Sequence, residues 1–176
     1  NLSKDYVAAV ERLHSLGIMI NGSFVFGLDH DDNDIFRRTV DWGIEHSITT
    51  ATFHILTPYP GTRLFQQLNR EGRITSLDWS KYDTRTVVYK PVSLSPEELK
   101  QGYDWAYMEF YTWRNVLKAS FGLEKRRQQL AHLLYMGGWK KYEPVWNFII
   151  QHGNLNKMLP ALEKMLDLPH AKQSSI

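Results

Sequence analysis

Ile18-Met19-Ile20-Asn21-Gly22-Ser23-Phe24-Val25-Phe26-Gly27 is the stretch that decides the fold. It is a nearly continuous run of β-branched and aromatic side chains, and its length suits a strand buried on both faces, as in parallel sheets. Before it, Val7, Val10, Leu13 and Leu16 recur at helical spacing and Gly17 follows as a left-handed C-terminal cap, which predicts a helix over about 4–16. After it, the acidic turn Asp29 to Asp34 leads into Ile35, Phe36, Val40 and Ile44. The carboxylates favour a helix N-terminus through its partial positive charge, and this second helix is expected to end near His46. Thr49 to Leu56 again reads as a strand, Pro58-Tyr59-Pro60-Gly61 must be irregular, and Leu64, Phe65 and Leu68 mark another helix before Gly72. Strand, helix, strand, helix is the pattern of an α/β fold.

Further along, residues 75–94 form a polar connector carrying Tyr and Trp, with a short extended run, Thr86-Val87-Val88-Tyr89, closed by Pro91. Ser95-Pro96-Glu97-Glu98 is a capping box with proline at the first helical position. It launches a long helix whose stripe Leu99, Tyr103, Ala106, Phe110, Trp113 and Leu117 stops before Gly122. Three shorter helices are expected after it, punctuated by Gly137-Gly138, Gly153 and Pro160, with packing faces from Leu130, Leu133, Leu134, Trp146, Phe148, Ile149, Leu162, Met165 and Leu166. The organisation is thus 1–74, 75–94 and 95–176, with no internal repeat.

The bulk properties bound the function. At 43% hydrophobic and 23% charged residues the chain is ordinary globular material, and a net charge of +2 implies no polyanionic partner. Cysteine is absent, which excludes disulfides, thiolate nucleophiles and cysteine-ligated clusters within this chain. No window reaches the roughly 18 apolar residues of a membrane span, and the start lacks a basic-then-apolar leader, so a cytoplasmic setting is the expectation. The chain opens without methionine and runs almost at once into a helix, which suggests a processed or excised piece.

Gly22-Ser23-Phe24-Val25-Phe26-Gly27-Leu28-Asp29-His30-Asp31 and Leu56-Thr57-Pro58-Tyr59-Pro60-Gly61-Thr62, taken together, resemble the late strands of radical S-adenosylmethionine enzymes. The second is similar to the Pro-x-Pro-Gly-Thr ending of the sixth barrel strand, and its wording is most like the group that carries a cobalamin-binding domain. Asp78-Trp79-Ser80-Lys81-Tyr82-Asp83 and the aromatic helix from Ser95 look like that group's C-terminal extension, so the resemblance covers about residues 5–120. It implies the C-terminal fragment of a partial (β/α) barrel, two parallel strands with their helices, followed by an α-helical tail. It also implies S-adenosylmethionine and a four-iron, four-sulfur cluster ligated upstream of this chain, with or without cobalamin upstream. The parent enzyme would be of methyltransferase or cyclase type and act on an unactivated carbon, and the fragment alone would be inactive. Its partners would be the upstream part of the same polypeptide and a small-molecule substrate, a lipophilic one where the tryptophans line its pocket. Two alternatives stand beside this: a non-catalytic helical interaction domain, and a portion of a tRNA-modifying radical enzyme.

By position, Phe24 and Val25 would pack near adenine or the barrel interior, Gly27 would let the backbone approach the ligand, and Asp31 would replace the glutamate that organises the loop. The usual form reads Pro-Gly-Glu where this sequence has Asp29-His30-Asp31. At the second motif, Pro58 and Pro60 stiffen the strand exit so that Thr57 and Tyr59 can meet a ligand with little ordering cost. Read without the resemblance, Phe24 and Phe26 are core, Asp29 to Asp34 a solvated helix cap, and the Pro-Gly pair a strand-to-helix turn. A calcium loop fails because Asp34 stands where glycine is needed and Val40 where the final glutamate is needed. His30, His46 and His54 lack short ligand spacing and read as surface or helix-end residues. Lys125-Arg126-Arg127 and Lys140-Lys141 read as solvated faces, which makes nucleic acid an unfavoured partner. Trp105, Trp113, Trp139 and Trp146 read first as core. An unpaired edge around Met19 to Phe26 would make the fragment dimerise or aggregate.

Overall fold

Alternation in the second strand places the sheet. In Thr50-Ala51-Thr52-Phe53-His54-Ile55 the apolar residues fall on one face and the polar residues on the other. The computed structural model describes residues 2–138. In it β1 (Asn21–Phe26) and β2 (Thr50–Ile55) pair in parallel, with Phe24 opposite Phe53 and Val25 opposite His54. Helix α1 (Leu2–Ser15) precedes β1, α2 (Ile35–Glu45) crosses over to β2, and α3 (Arg63–Arg70) follows it. A 3-10 turn (Trp79–Lys81), α4 (Pro96–Phe110), α5 (Trp113–Phe121) and helical residues 126–138 complete the order. The segment up to Gly137 forms one compact unit. The later residues named above, from Trp139 and Lys140 to Leu166, lie outside the described residues.

A two-stranded sheet is not stable alone and must bury one face against helices. Here α2 and α4 cover the face carrying Phe24, Phe26, Ala51, Phe53 and Ile55. Phe53 is the hub: its ring stacks on Phe24 and Phe26 at 5.6 and 5.5 Å and meets Tyr107 and Phe110 edge-on. Burying each such ring contributes about 1.5–3 kcal/mol. Among the described residues no helix covers the opposite face at β1, where Val25 stays 46% exposed and the strand follows a half-exposed pattern. This corrects the expectation of a strand buried on both faces. Ile18 and Met19, which made the run look continuous, lie outside β1 and are half exposed.

The two edges differ. Ile20 and Phe26 carbonyls accept from Thr50 and Leu56 amides of the neighbouring strand. By the alternation of a parallel ladder, the backbone groups of Asn21, Ser23 and Val25 therefore point away from β2. On the far side of β2, the Tyr111 hydroxyl bonds both the amide (3.0 Å) and the carbonyl (2.9 Å) of Ala51. Tyr107 does the same for Phe53, and the Ile55 amide donates to the Thr84 carbonyl at 2.7 Å. That edge is closed by side chains from α4 and its C-cap.

The long helix expected from Ser95 is two helices. The capping box at Ser95 and Glu98 forms, and Leu99, Tyr103, Ala106 and Phe110 are buried as the stripe requires. At Thr112 the chain breaks, because the Thr112 hydroxyl accepts from the Asn115 amide while the Asn115 side chain donates to the Glu109 carbonyl. These local bonds compete with the helical ladder. The new helix has a different phase, so Val116 and Ala119 are buried while Trp113 and Leu117 are exposed. Trp105 is exposed as well, so neither described tryptophan of the four is core. Leu130 and Leu134 are exposed, whereas Leu133 packs on the core. In the connector, the expected extended run survives as a bridge between Ile74 and Tyr89.

Candidate functional site

Strand tips organise the site. At the end of β1, Gly27 has φ +97, and a Cβ there would lie 2.3 Å from the Tyr89 hydroxyl. Only glycine fits on both counts. The buried Asp31 carboxylate turns back and accepts from the Gly27 and Leu28 amides at 2.8 and 2.9 Å. Tyr89, fully buried, donates its hydroxyl to the Gly27 carbonyl. Burial pushes the Tyr89 phenol well above its usual range, so it remains an O–H donor. Both backbone groups of Gly27 are thus held, and the loop is fastened further at Asp29. Its carboxylate pairs with Arg73 at 2.7 Å, and its carbonyl accepts from Ser93 at 3.0 Å. The hydrogen bond from Arg73 holds the Asp29 carboxyl below its ordinary range.

The expected helix cap takes another form. Asp34 precedes α2 without a side-chain capping bond, and instead pairs with Arg37, while Asp32 pairs with Arg38 at 2.8 Å. At the end of β2, Thr57 donates to the Ile55 carbonyl at 2.9 Å. Tyr59-Pro60-Gly61-Thr62 then forms a tight turn, closed by the Thr62 amide on the Tyr59 carbonyl (3.1 Å) with Gly61 at φ +84. Proline and a positive-φ glycine at the two central positions define a type II turn. Thr62 goes on to cap α3 through the Phe65 amide. Tyr59 is left exposed on this rigid exit.

Because the strands are parallel, Gly27, Asp31, Thr57 and Tyr59 lie at the same end of the sheet. Phe24 and Val25 point to opposite faces: Phe24 packs between Trp42 and Phe53 under the helices, and Val25 faces the open side. His54, which the sequence reads as a surface or helix-end residue, sits in β2 beside Val25 with Nδ1 3.1 Å from the Thr84 hydroxyl. The polar–apolar alternation of β2 was the signal that would have found it. Arg73, Tyr89 and Ser93 left no local signal. Hollows lie elsewhere, among them one of about 460 Å³ between the α1–β1 turn and residues 126–138, and a groove of about 430 Å³ between α2 and α4. Among the described residues no group of three or more His, Cys, Asp or Glu side chains gathers as a metal site, and no helix is long and apolar enough to cross a membrane.

Two neighbouring parallel strands are what the resemblance leads one to expect of late strands. No family model matches the chain. The chain is nevertheless similar to methyltransferases and cyclases of the radical S-adenosylmethionine class, a family that uses S-adenosylmethionine and a four-iron, four-sulfur cluster. It is 34% identical over 122 residues to bacteriochlorophyllide d C-12(1)-methyltransferase of Chlorobaculum tepidum, covering 69% of this chain and 26% of that protein. To the C-8(2)-methyltransferase of the same organism it is 30% identical over 117 residues, covering 66% of this chain and 26% of that protein. To the anaerobic magnesium-protoporphyrin IX monomethyl ester cyclase of Cereibacter sphaeroides it is 30% identical over 103 residues, covering 58% and 16%. The chain therefore spans about a quarter or less of the length of these relatives, which are methyltransferases and cyclases.

Proposed function

We propose that this chain supplies the last two strands of the catalytic barrel, and the helices behind them, to a radical S-adenosylmethionine methyltransferase or cyclase that acts on a tetrapyrrole. One observation carries this: among the described residues the sheet is closed by tyrosines at β2, open at β1, and covered by helices on one face only. Such a sheet suits the end of an incomplete barrel whose remaining strands add at β1 and whose bare face looks inward. The names of the relatives support the substrate class.

In this chain no residue fits the iron–sulfur cluster, because there is no cysteine to ligate it. The bare face does fit an adenosyl ligand: Val25 gives apolar contact there, and Gly27 brings bare backbone to the strand end. S-adenosylmethionine, when bound, supplies either a hydrogen-abstracting adenosyl group or a methyl group. Asp31 holds the loop after Gly27 in one conformation, so the tip is ordered before the ligand arrives. Thr57 and Tyr59, on an exit stiffened by Pro58 and Pro60, border the same mouth and help exclude water. Cobalamin, where used, is held outside this chain, and the chain by itself is inactive.

The test expresses the upstream sequence with this portion, reconstitutes iron and sulfide anaerobically, and assays 5′-deoxyadenosine and S-adenosylhomocysteine with a magnesium tetrapyrrole, with and without cobalamin. Either product, formed in proportion to modified tetrapyrrole, supports the proposal. Neither product with a fully loaded cluster rejects it.

A further inference from the structure

The face opposite α2 and α4 carries exposed Asn21, Ser23 and Val25 from β1, and buried Thr50 with half-buried Thr52 and His54 from β2. His54 alone among them carries a titratable group. Thr52 already donates its hydroxyl to the Gly22 carbonyl. His54 is oriented from outside the sheet: its Nδ1 lies 3.1 Å from the hydroxyl of Thr84, and Thr84 is itself pinned to β2 by the Ile55 amide at 2.7 Å. Thr84 adopts φ +63. A β-branched residue there costs on the order of 1–3 kcal/mol and persists only where its surroundings enforce it. The enforcing group is Asp83, whose carboxylate accepts from the Arg85 and Thr86 amides, both at 2.8 Å. A strained loop is thus built so that one hydroxyl meets one imidazole nitrogen. The other nitrogen, Nε2, has no hydrogen-bond partner among the described residues.

We propose that His54 Nε2 is the axial ligand to the central magnesium of a magnesium tetrapyrrole lying across this face, with Thr84 as the positioning residue. The proposal rests on the substrate class given above. A magnesium ion held by four in-plane nitrogens keeps an axial position open, and a neutral imidazole is a donor suited to it. Ligation requires the tautomer with Nδ1–H donating to the Thr84 hydroxyl, which leaves the Nε2 lone pair free. Ligating histidines are commonly fixed by such a bond from their other nitrogen.

The test uses the full-length enzyme with magnesium-protoporphyrin IX monomethyl ester and its magnesium-free counterpart, followed by absorption titration and magnetic circular dichroism. Wild type is expected to bind the magnesium form at least about tenfold more tightly and to give a nitrogen-ligated five-coordinate spectrum. His54→Ala should abolish both the preference and that spectrum, and added imidazole should restore the spectrum. Thr84→Val should weaken the preference only in part, so that the magnesium form is still favoured. Equal binding of the two porphyrins by wild type, or an unchanged preference in folded His54→Ala, overturns the axial role and leaves the tetrapyrrole assignment standing. If the folded, cluster-loaded enzyme binds neither porphyrin, both are overturned. The wild-type comparison needs no variant, so a failure of His54→Ala to fold leaves the test decisive.

Discussion

Replacing Gly27 with alanine tests the tip of β1 most directly. The new Cβ would sit 2.3 Å from the Tyr89 hydroxyl and 2.8 Å from Leu99 Cδ2, at φ +97. Positive φ costs an alanine about 1–2 kcal/mol. Tyr89 and Leu99 are both fully buried, so neither can step aside into solvent, and forcing a methyl among them costs about 1–3 kcal/mol. Displacing the Tyr89 hydroxyl also breaks its bond to the Gly27 carbonyl, at about 1 kcal/mol. Together these come to about 3–6 kcal/mol, a large part of the roughly 5–15 kcal/mol of a typical domain. Urea unfolding followed by tryptophan fluorescence should show a midpoint lower by about 2 M, given a slope of roughly 1–3 kcal/mol per M. Adding Tyr89→Phe removes the clashing oxygen, so the double variant should be more stable than the two single losses added together. A Gly27→Ala midpoint within about 0.3 M of wild type, or strict additivity with Tyr89→Phe, would refute the assigned close contact.

Asp31→Ala leaves the Gly27 and Leu28 amides without their acceptor and should destabilise by about 2–4 kcal/mol in the same assay, while Asp31→Asn, which keeps an acceptor oxygen, should lose less. Tyr111→Phe uncovers both backbone groups of the buried Ala51 and should cost about 2–4 kcal/mol, with faster amide exchange at Ala51. Burial lowers the pKa of His132, and likewise that of His14. The unfolded chain therefore binds more protons than the native one as pH falls below about 6.5, so stability should drop from pH 7.5 to 5.5, and His132→Gln should flatten that slope. The chain expressed without upstream sequence should self-associate through the β1 edge in light scattering, and Ser23→Pro, which removes an outward amide without touching β2, should reduce it; a monomeric wild type at high concentration counts against an open edge.

Much of this was legible because periodicity is local. The capping box at Ser95 and the Pro60-Gly61 turn each follow from a few adjacent residues, and each forms. The errors arose where a nonlocal or competing interaction decides. Ile18 and Met19 extended an apolar run that β1 does not use, since a strand lasts only as long as its partner pairs with it. The stripe through Trp113 ignored Thr112 and Asn115, whose side chains satisfy the backbone more cheaply than one more helical turn. At the strand tip, Gly27 and Asp31 are singled out by the resemblance of their motif. Tyr89 and Ser93, which clamp Gly27 and Asp29, come from 62 and 64 residues away and could not be inferred from neighbours.

His54 shows what the motif approach overlooks. Gly- and Pro-bearing motifs mark where a chain must turn, and therefore favour tips and loops over the flat of a strand. Yet the flat decides what a closed cavity contains. With β2 sealed by Tyr107, Tyr111 and Thr84, a further strand can join this sheet only at Asn21, Ser23 and Val25. With α2 and α4 occupying one face, whatever closes around the added strands encloses the other. Edge and face are thus one constraint: the same tyrosines that end the sheet fix which side becomes interior. On the proposed barrel the imidazole held there by Thr84 would face the cavity, although nothing in the first strand or the two loop motifs refers to it.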